Sequence, residues 1–268
     1  MHPFDTATAL TPAGDDLFHG ATSPAYANMV GPFGGTTGAV LLNAALLHPA
    51  RLGNPIALTV NFASALADGA FEIAVRPVRT NRSTQHWTML LTQGGEVAAT
   101  ATAVFAVRRE TWSVPEAVAP TNVPRPETLA PMGGATRMEW VKRYDMRFVH
   151  GGLPSTFEGH EQPDSRSTLW VRDEPPRPLD FVSLAAISDC FFPRIFVRRH
   201  KVTPIGTVSL TTFFHADAAM LAAQGERPVL GTAKGQNFRN GYFDQSAELW
   251  SDTGQQLVST HQIVYFRE

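Results

Sequence analysis

The sequence predicts an α+β protein of two fused repeats, each with a central helix wrapped by an antiparallel sheet. Three observations lead to this expectation. A small-residue, apolar helix followed by a series of strand-like segments occurs twice, in the same order. A proline-dense segment lies between the two copies. The final hairpins of the two copies also match as sequence, and similarity at a fixed spacing indicates an internal repeat.

The first half is predicted to contain one helix, at 34–48. Its residues are small or apolar with almost no polar face, which is typical of a helix buried on most sides. Pro49 ends it. Residues 1–30 are polar and mixed and are expected to form an extended lead-in. Strands are expected at 56–64, 71–80, 84–93 and 96–107. A glycine turn is expected before the last of them.

The segment between the halves is rich in residues that break regular structure. Five prolines fall within 17 residues and two glycines follow them: Pro115, Pro120, Pro124, Pro126, Pro131, Gly133 and Gly134. Proline at this density is incompatible with a helix or a central strand. We therefore expect a first repeat at 1–114, a linker at 115–135 and a second repeat at 136–268.

The second half repeats the plan. A helix is expected at 180–192, with Asp180 as its N-cap and Pro193 as its end. Strands are expected at 144–150, 204–215, 229–238, 243–251 and 256–266. A shift of 160 residues places three residues of the first half on identical ones in the second: Gly94 on Gly254, Thr100 on Thr260 and Val104 on Val264.

Composition excludes several classes of protein. Hydrophobic residues make up 43% of the chain and charged residues 17%, which argues against disorder. A formal net charge of −2 without a basic stripe argues against nucleic-acid binding. The single cysteine, Cys190, allows no internal disulfide. Since neither a secretory signal nor a membrane span is visible, we expect a cytoplasmic protein.

Asp189 is the most informative polar residue. It follows Ala186, Ala185 and Val182 by three, four and seven positions, so it projects from the apolar face of the predicted helix. Burying an unpaired carboxylate costs several kcal/mol, and a sequence seldom tolerates it without a partner or a function. The alternative is a structural aspartate with satisfied hydrogen bonds, or one that faces solvent near the helix end.

Two residues on predicted strands are weaker candidates. Gln262 shares its strand face with apolar residues, so it needs hydrogen-bond partners unless it lies in solvent on an edge strand. Thr207, taken alone, is an ordinary β-branched strand residue.

Three segments of the chain resemble the type II acyl-CoA thioesterase family, which has a double hotdog fold. They are the glycine helix start at 33–35, the Ser188-Asp189 pair before bulky apolar residues, and the strands at 207–215 and 258–262. The resemblance implies that Asp189, Thr207 and Gln262 orient a water against the thioester of acyl-CoA.

The resemblance implies the reaction, and the residues themselves suggest where the substrate could bind. The protein would hydrolyse acyl-CoA to fatty acid and CoA without a cofactor, and the histidines show no metal-ligand spacing. Gly34 and Gly35 would allow close approach to substrate and offer backbone donors, although tight helix packing explains them equally well. Arg82 and Arg194 could meet the CoA phosphates, although a solvated surface is the simpler interpretation.

Other functions remain open at this point. A non-hydrolytic acyl-CoA or lipid binding protein could share the fold, since fold does not determine function. A hotdog dehydratase or hydratase would need a catalytic histidine, and none falls at a matching position. Cys190 lies about 100° around a helix from Asp189, which disfavours it as a nucleophile for the same site. A homo-oligomer is possible.

The repeat predicts one active site per chain. Alignment of the helices by Pro49 and Pro193 places Asp189 opposite Ala45, and the 160-residue shift places Gln262 opposite Thr102. Because the first repeat has neither acid nor amide at these positions, the polar residues of the second repeat are expected to carry the chemistry.

Overall fold

A computed structural model describes residues 1–132 and 138–268. The helices are α1 (Pro3–Ala7), α2 (Gly34–Leu47), α3 (Phe181–Ile187), α4 (Arg194–Arg199) and α5 (Ala218–Gln224). The strands of the first half are β1 (Thr11–Pro12), β2 (Leu17–Ala21), β3 (Asn54–Phe62), β4 (Ala70–Thr80), β5 (Thr84–Gln93) and β6 (Glu96–Ala106). Those of the second half are β7 (Tyr144–His150), β8 (Ser167–Asp173), β9 (Ile205–Phe214), β10 (Val229–Lys234), β11 (Phe238–Arg239), β12 (Tyr242–Trp250) and β13 (Gln256–Phe266).

All of these strands form one antiparallel sheet. Its order is β1-β2-β4-β5-β6-β3-β9-β13-β12-β10-β8-β7, with β11 beside β12. Read outward from the centre, the two halves have the same plan, β3-β6-β5-β4-β2-β1 and β9-β13-β12-β10-β8-β7. The sheet therefore confirms the predicted α+β architecture of two repeats.

The halves meet at the strand pair β3–β9. Thr59 lies directly opposite Thr211, and their hydroxyl oxygens are 3.0 Å apart. On the inner side of the sheet, α2 of the first half packs against α3 of the second. Any site at the contact of these two helices is consequently built from both halves.

The strand ladders correct the predicted register of the repeat by one residue. The inward positions of β6 and β13 correspond at a separation of 159, and they are Ala99, Ala101, Ala103 and Phe105 in β6, and Val258, Thr260, Gln262 and Val264 in β13. The 160-residue shift is wrong because it sets Thr102, which is exposed, against buried Gln262. Ala103 is the counterpart of Gln262.

The predicted helix at 180–192 is too long. The helix ends at Ile187, and the chain leaves it through a tightened turn in which the Asp189 N–H donates to the Ala186 carbonyl at 3.1 Å. Pro193 does not end this helix but is the N-cap of α4. The alignment of Asp189 with Ala45, which used Pro193 as a helix end, is therefore unsupported.

Other differences concern short elements. The expected strand at 229–238 is divided into β10 and β11, and the lead-in at 1–30 contains α1, β1 and β2. Neither β8 nor α5 was predicted. Part of the expected linker, with Gly133 and Gly134, lies outside the described residues.

Aromatic packing fixes the start of α2. Phe33, its N-cap residue, stacks on Trp140 with ring centroids 4.2 Å apart, and both side chains are buried. No helix in the described part of the chain is long and apolar enough to cross a membrane.

Candidate active site

Asp189 lies in the break between α3 and α4, facing the first turn of α2. The side chain of Phe33 makes no capping hydrogen bond, so the first N–H groups of α2 need another acceptor. The Gly35 N–H donates to the Asp189 carboxylate. An acid of the second half thus caps the central helix of the first, where the helix dipole also favours negative charge.

Gly34 and Gly35 allow this approach. A β-carbon on Gly34 would lie 2.8 Å from Oδ2 of Asp189, and one on Gly35 would lie 2.5 Å from the Ala186 carbonyl oxygen. Contacts this short between non-bonded heavy atoms require something to move. The structure thus supports tight packing as a reason for the glycine pair. Its expected contact with substrate stays a prediction.

Gln262 and Thr207 continue the site across the sheet. Nε2 of Gln262 donates to Oδ1 of Asp189 at 3.2 Å, and the Thr207 hydroxyl donates to Oε1 of Gln262 at 3.1 Å. Gln262 is 4% exposed, so it is not a solvent-facing edge residue. The structure brings together the three side chains expected to act as a set.

Burial governs the ionisation of the acid. It raises the pKa of Asp189 from 3.8 to about 7, and the hydrogen bonds from Gln262 and Gly35 offset part of that rise. A carboxylate whose pKa lies near neutral pH is present there in both protonation states. It can therefore accept and return a proton there without a large energetic penalty.

The expected contact of Arg194 with the CoA phosphates is wrong. Its side chain is fully buried and donates to the Phe192 and Ser165 carbonyls, the Ser167 hydroxyl and the Gln245 amide oxygen. A guanidinium enclosed in this way cannot reach a CoA phosphate in solvent. Arg82 lies exposed in the turn between β4 and β5, so its assignment to a phosphate stays a prediction.

Cys190 is unsuited to nucleophilic attack. Its side chain is completely buried, and burial raises the pKa of its thiol far above the ordinary value. A thiol that stays protonated is a poor nucleophile.

The first half has apolar counterparts at the strand positions of the site. Thr207 pairs with Val264 beside a bulge, and Pro55 pairs with Phe105 beside a bulge in the equivalent strands. Pro55 and Ala103 therefore stand where the second half has Thr207 and Gln262, and neither offers a polar side chain.

Family profiles match both halves. Residues 23–106 match the acyl-CoA thioesterase N-terminal domain, and residues 115–266 match the acyl-CoA thioesterase C-terminal domain. The second match alone covers more than half of the chain. The chain belongs to the type II acyl-CoA thioesterase family. As a family member, it is a hydrolase of the thioesterase type.

Solved structures confirm the double hotdog fold of this thioesterase. A hot-dog-fold protein of unknown function from Alicyclobacillus acidocaldarius is 46% identical over 100% of this chain and 99% of that chain, with a TM-score of 0.94. The tesB protein of Mycobacterium avium subspecies paratuberculosis is 19% identical, with 100% of each chain covered and a TM-score of 0.79. Acyl-CoA thioesterase II TesB2 of Mycobacterium marinum is 17% identical over 98% of each chain, with a TM-score of 0.77. The last two show the fold alone, and no curated protein matches the chain.

Proposed function

We propose that this thioesterase hydrolyses acyl-CoA to fatty acid and CoA, with Asp189, Thr207 and Gln262 orienting the attacking water. The observation that supports this is the hydrogen-bond chain from Thr207 through Gln262 to Asp189, at 3.1 and 3.2 Å, which ends at the first turn of α2. It joins a base, an amide and a hydroxyl in one connected chain, and hydrolysis of an activated carbonyl requires such positioned groups.

The proposed hydrolysis of the thioester requires only the substrate, a water molecule and the side chains of the site. Asp189 accepts a proton as water attacks the thioester carbonyl, and the C–S bond breaks as the resulting tetrahedral oxyanion collapses. The CoA thiolate then takes up the proton, leaving a carboxylic acid. Negative charge develops on the carbonyl oxygen and needs a backbone donor near the start of α2. The Gly35 N–H already donates to Asp189 and those of Thr36 and Thr37 to the Phe33 carbonyl, so the Gly34 N–H is the candidate.

A panel of short, medium and long acyl-CoA substrates, with detection of the released thiol, tests the proposal. We expect turnover of at least one substrate in the presence of a metal chelator, and its loss in Asp189→Asn. Absence of turnover across the panel, or full dependence on a divalent ion, would refute the proposal.

The alternative is a protein that binds acyl-CoA or lipid without hydrolysis. It predicts saturable binding of acyl-CoA with no thiol release, and binding that survives Asp189→Asn. The raised pKa of Asp189 favours the enzyme, because a carboxylate poised near neutral pH is suited to proton transfer. A cytoplasmic location stays a prediction.

A further inference from the structure

Arg194 is a buried cation with no anionic partner in the described part of the chain. Its hydrogen-bond acceptors are two backbone carbonyls, a serine hydroxyl and the side-chain amide of Gln245, all of them neutral. Burial lowers the pKa of its guanidinium to about 9, so it remains charged at neutral pH. A buried charge without a counter-ion is costly, which calls for an explanation beyond packing.

The side-chain amide of Gln245 is buried, and only its oxygen has a hydrogen-bond partner among the described residues. Its side chain is 1% exposed, and Oε1 accepts from Nε of Arg194 at 2.8 Å. A guanidinium can only donate, so this bond fixes which end of the amide is oxygen. Nε2 then points elsewhere, and among the described residues it has no hydrogen-bond partner. An unmet buried donor costs about 1–3 kcal/mol.

Gln262 offers the acceptor that Gln245 lacks. The two glutamines are directly opposite in the β12–β13 ladder, so their side chains leave the sheet on the same buried face. Oε1 of Gln262 has two lone pairs, and the Thr207 hydroxyl uses one of them. The second can take an N–H directly from Gln245 once the two opposed amides approach, a bond that is not formed in the described part of the structure. A water bridge would not fix the direction of donation, because a water can accept from both amides.

The neighbours of Gln262 do not fix its orientation by themselves. The Thr207 hydroxyl can donate or accept, and protonated Asp189 can also do both. When Asp189 holds its proton, the Gln262 amide could therefore turn end for end. Only a donor of fixed direction on its oxygen side would prevent this.

We infer that Arg194 and Gln245 are positioning residues that hold the Gln262 amide with its N–H toward Asp189. Donation runs in one direction, from Arg194 to Gln245, from Gln245 to Gln262, and from Gln262 to the Asp189 carboxylate. The arrangement favours the ionised acid that the proposed function, on which this inference rests, requires as its base.

Few other groups can influence the titration of Asp189. Tyr144 on β7 and Cys190 next along the chain interact with it electrostatically, and burial raises the pKa of both well above neutral pH, so both stay uncharged. Arg194 on α4 is a charged group of this region, and Asp173 on β8 is a titratable group that interacts with Tyr144. Arg194 keeps its charge in the test variants below, all of which alter glutamines.

The test measures the titration midpoint of Asp189 in the intact protein by 13C NMR of labelled aspartate, assigned with Asp189→Asn. In Gln245→Met, which is neutral and of similar size, we expect the midpoint to rise by about one pH unit, the scale of one hydrogen bond to a charged group. In Gln245→Glu, the new carboxylate would pair with Arg194 and present an acceptor to Gln262, and we expect a larger rise. The pH–rate profile should move with the midpoint.

Gln85→Met is the matched control. Gln85 is also 1% exposed and hydrogen-bonded, but in β5 of the first half, so its loss should leave the Asp189 midpoint unchanged. An unchanged midpoint in Gln245→Met overturns the inference, even if Gln245→Glu shifts, because charge alone would then explain that shift. If Gln245→Met does not fold, the smaller neutral variant Gln245→Ala takes its place, with the same expected rise and with an unchanged midpoint overturning the inference. The NMR readout needs no substrate, so absence of turnover in the wild type would reject the proposed function separately.

Discussion

Gly34 leaves no space for a side chain in front of Asp189, since a β-carbon there would lie 2.8 Å from Oδ2 of the carboxylate. The glycine belongs to the first half and the acid to the second. The position of the acid therefore depends on how the two halves pack.

Gly34→Ala should displace the carboxylate while leaving the fold intact. Since misplacing a catalytic group by about 1 Å can cost on the order of 100-fold, we expect kcat/KM to fall about 10- to 100-fold. Gly38→Ala on the same helix is the control, because its β-carbon would meet only a Val60 methyl, at 3.8 Å. Equal activity of the two variants would show that the close approach is irrelevant.

Asp189→Asn and Cys190→Ala separate two neighbouring residues. Asn keeps the shape of the side chain but cannot accept a proton, so we expect at least about a 100-fold loss of kcat. Cys190→Ala should retain most activity, because the thiol is buried and protonated. The opposite ranking in a steady-state assay would indicate a thiol mechanism.

Activity should follow the ionisation of Asp189. Because the base must be deprotonated and burial raises its pKa to about 7, kcat/KM should increase with pH around a midpoint near 7 and level off above it. Rates measured from pH 5 to 9 with a stable acyl-CoA test this. A flat profile over that range would exclude Asp189 as the base.

Stability should change with pH in the opposite sense. Burial raises the pKa of Asp189 to about 7 and that of Asp173 to about 6, so the folded state holds these protons more tightly than the unfolded chain. Their contribution is complete below the unfolded pKa near 4 and is lost as pH rises through 6 and 7. In denaturant titrations, Asp189→Asn should gain stability relative to wild type between pH 5 and pH 8. An equal difference at both pH values would contradict the raised pKa.

Periodicity predicted the long elements well and the site in part. The helix α2 and the strands β4 to β6 lie within a residue or so of their expected bounds, because alternation and apolar runs report burial directly. Asp189 and Gln262 were found as polar residues on apolar faces. Gln245 carries the same signal, between inward Phe243 and Ala247 on β12, and was overlooked.

Tertiary contacts account for what the sequence could not predict. Arg194 lies in a basic run that is typical of a surface, yet its side chain is enclosed by the nearby Phe192 carbonyl and by acceptors of Ser165 and Gln245 from distant segments. The end of α3 at Ile187 is also not marked by a glycine or proline. It coincides with the point where Asp189 turns toward α2, a contact formed only in the folded chain.

The covalent joining of the halves has a genetic consequence. In an assembly of identical subunits, both copies of a strand are encoded by the same gene. One mutation therefore removes a polar residue from both copies at once. Here the matching positions are encoded separately, as Pro55 with Ala103 and as Thr207 with Gln262. Across the Thr59–Thr211 seam, one half could thus become a scaffold while the other kept the reactive groups, a division of labour that an assembly of identical subunits does not permit.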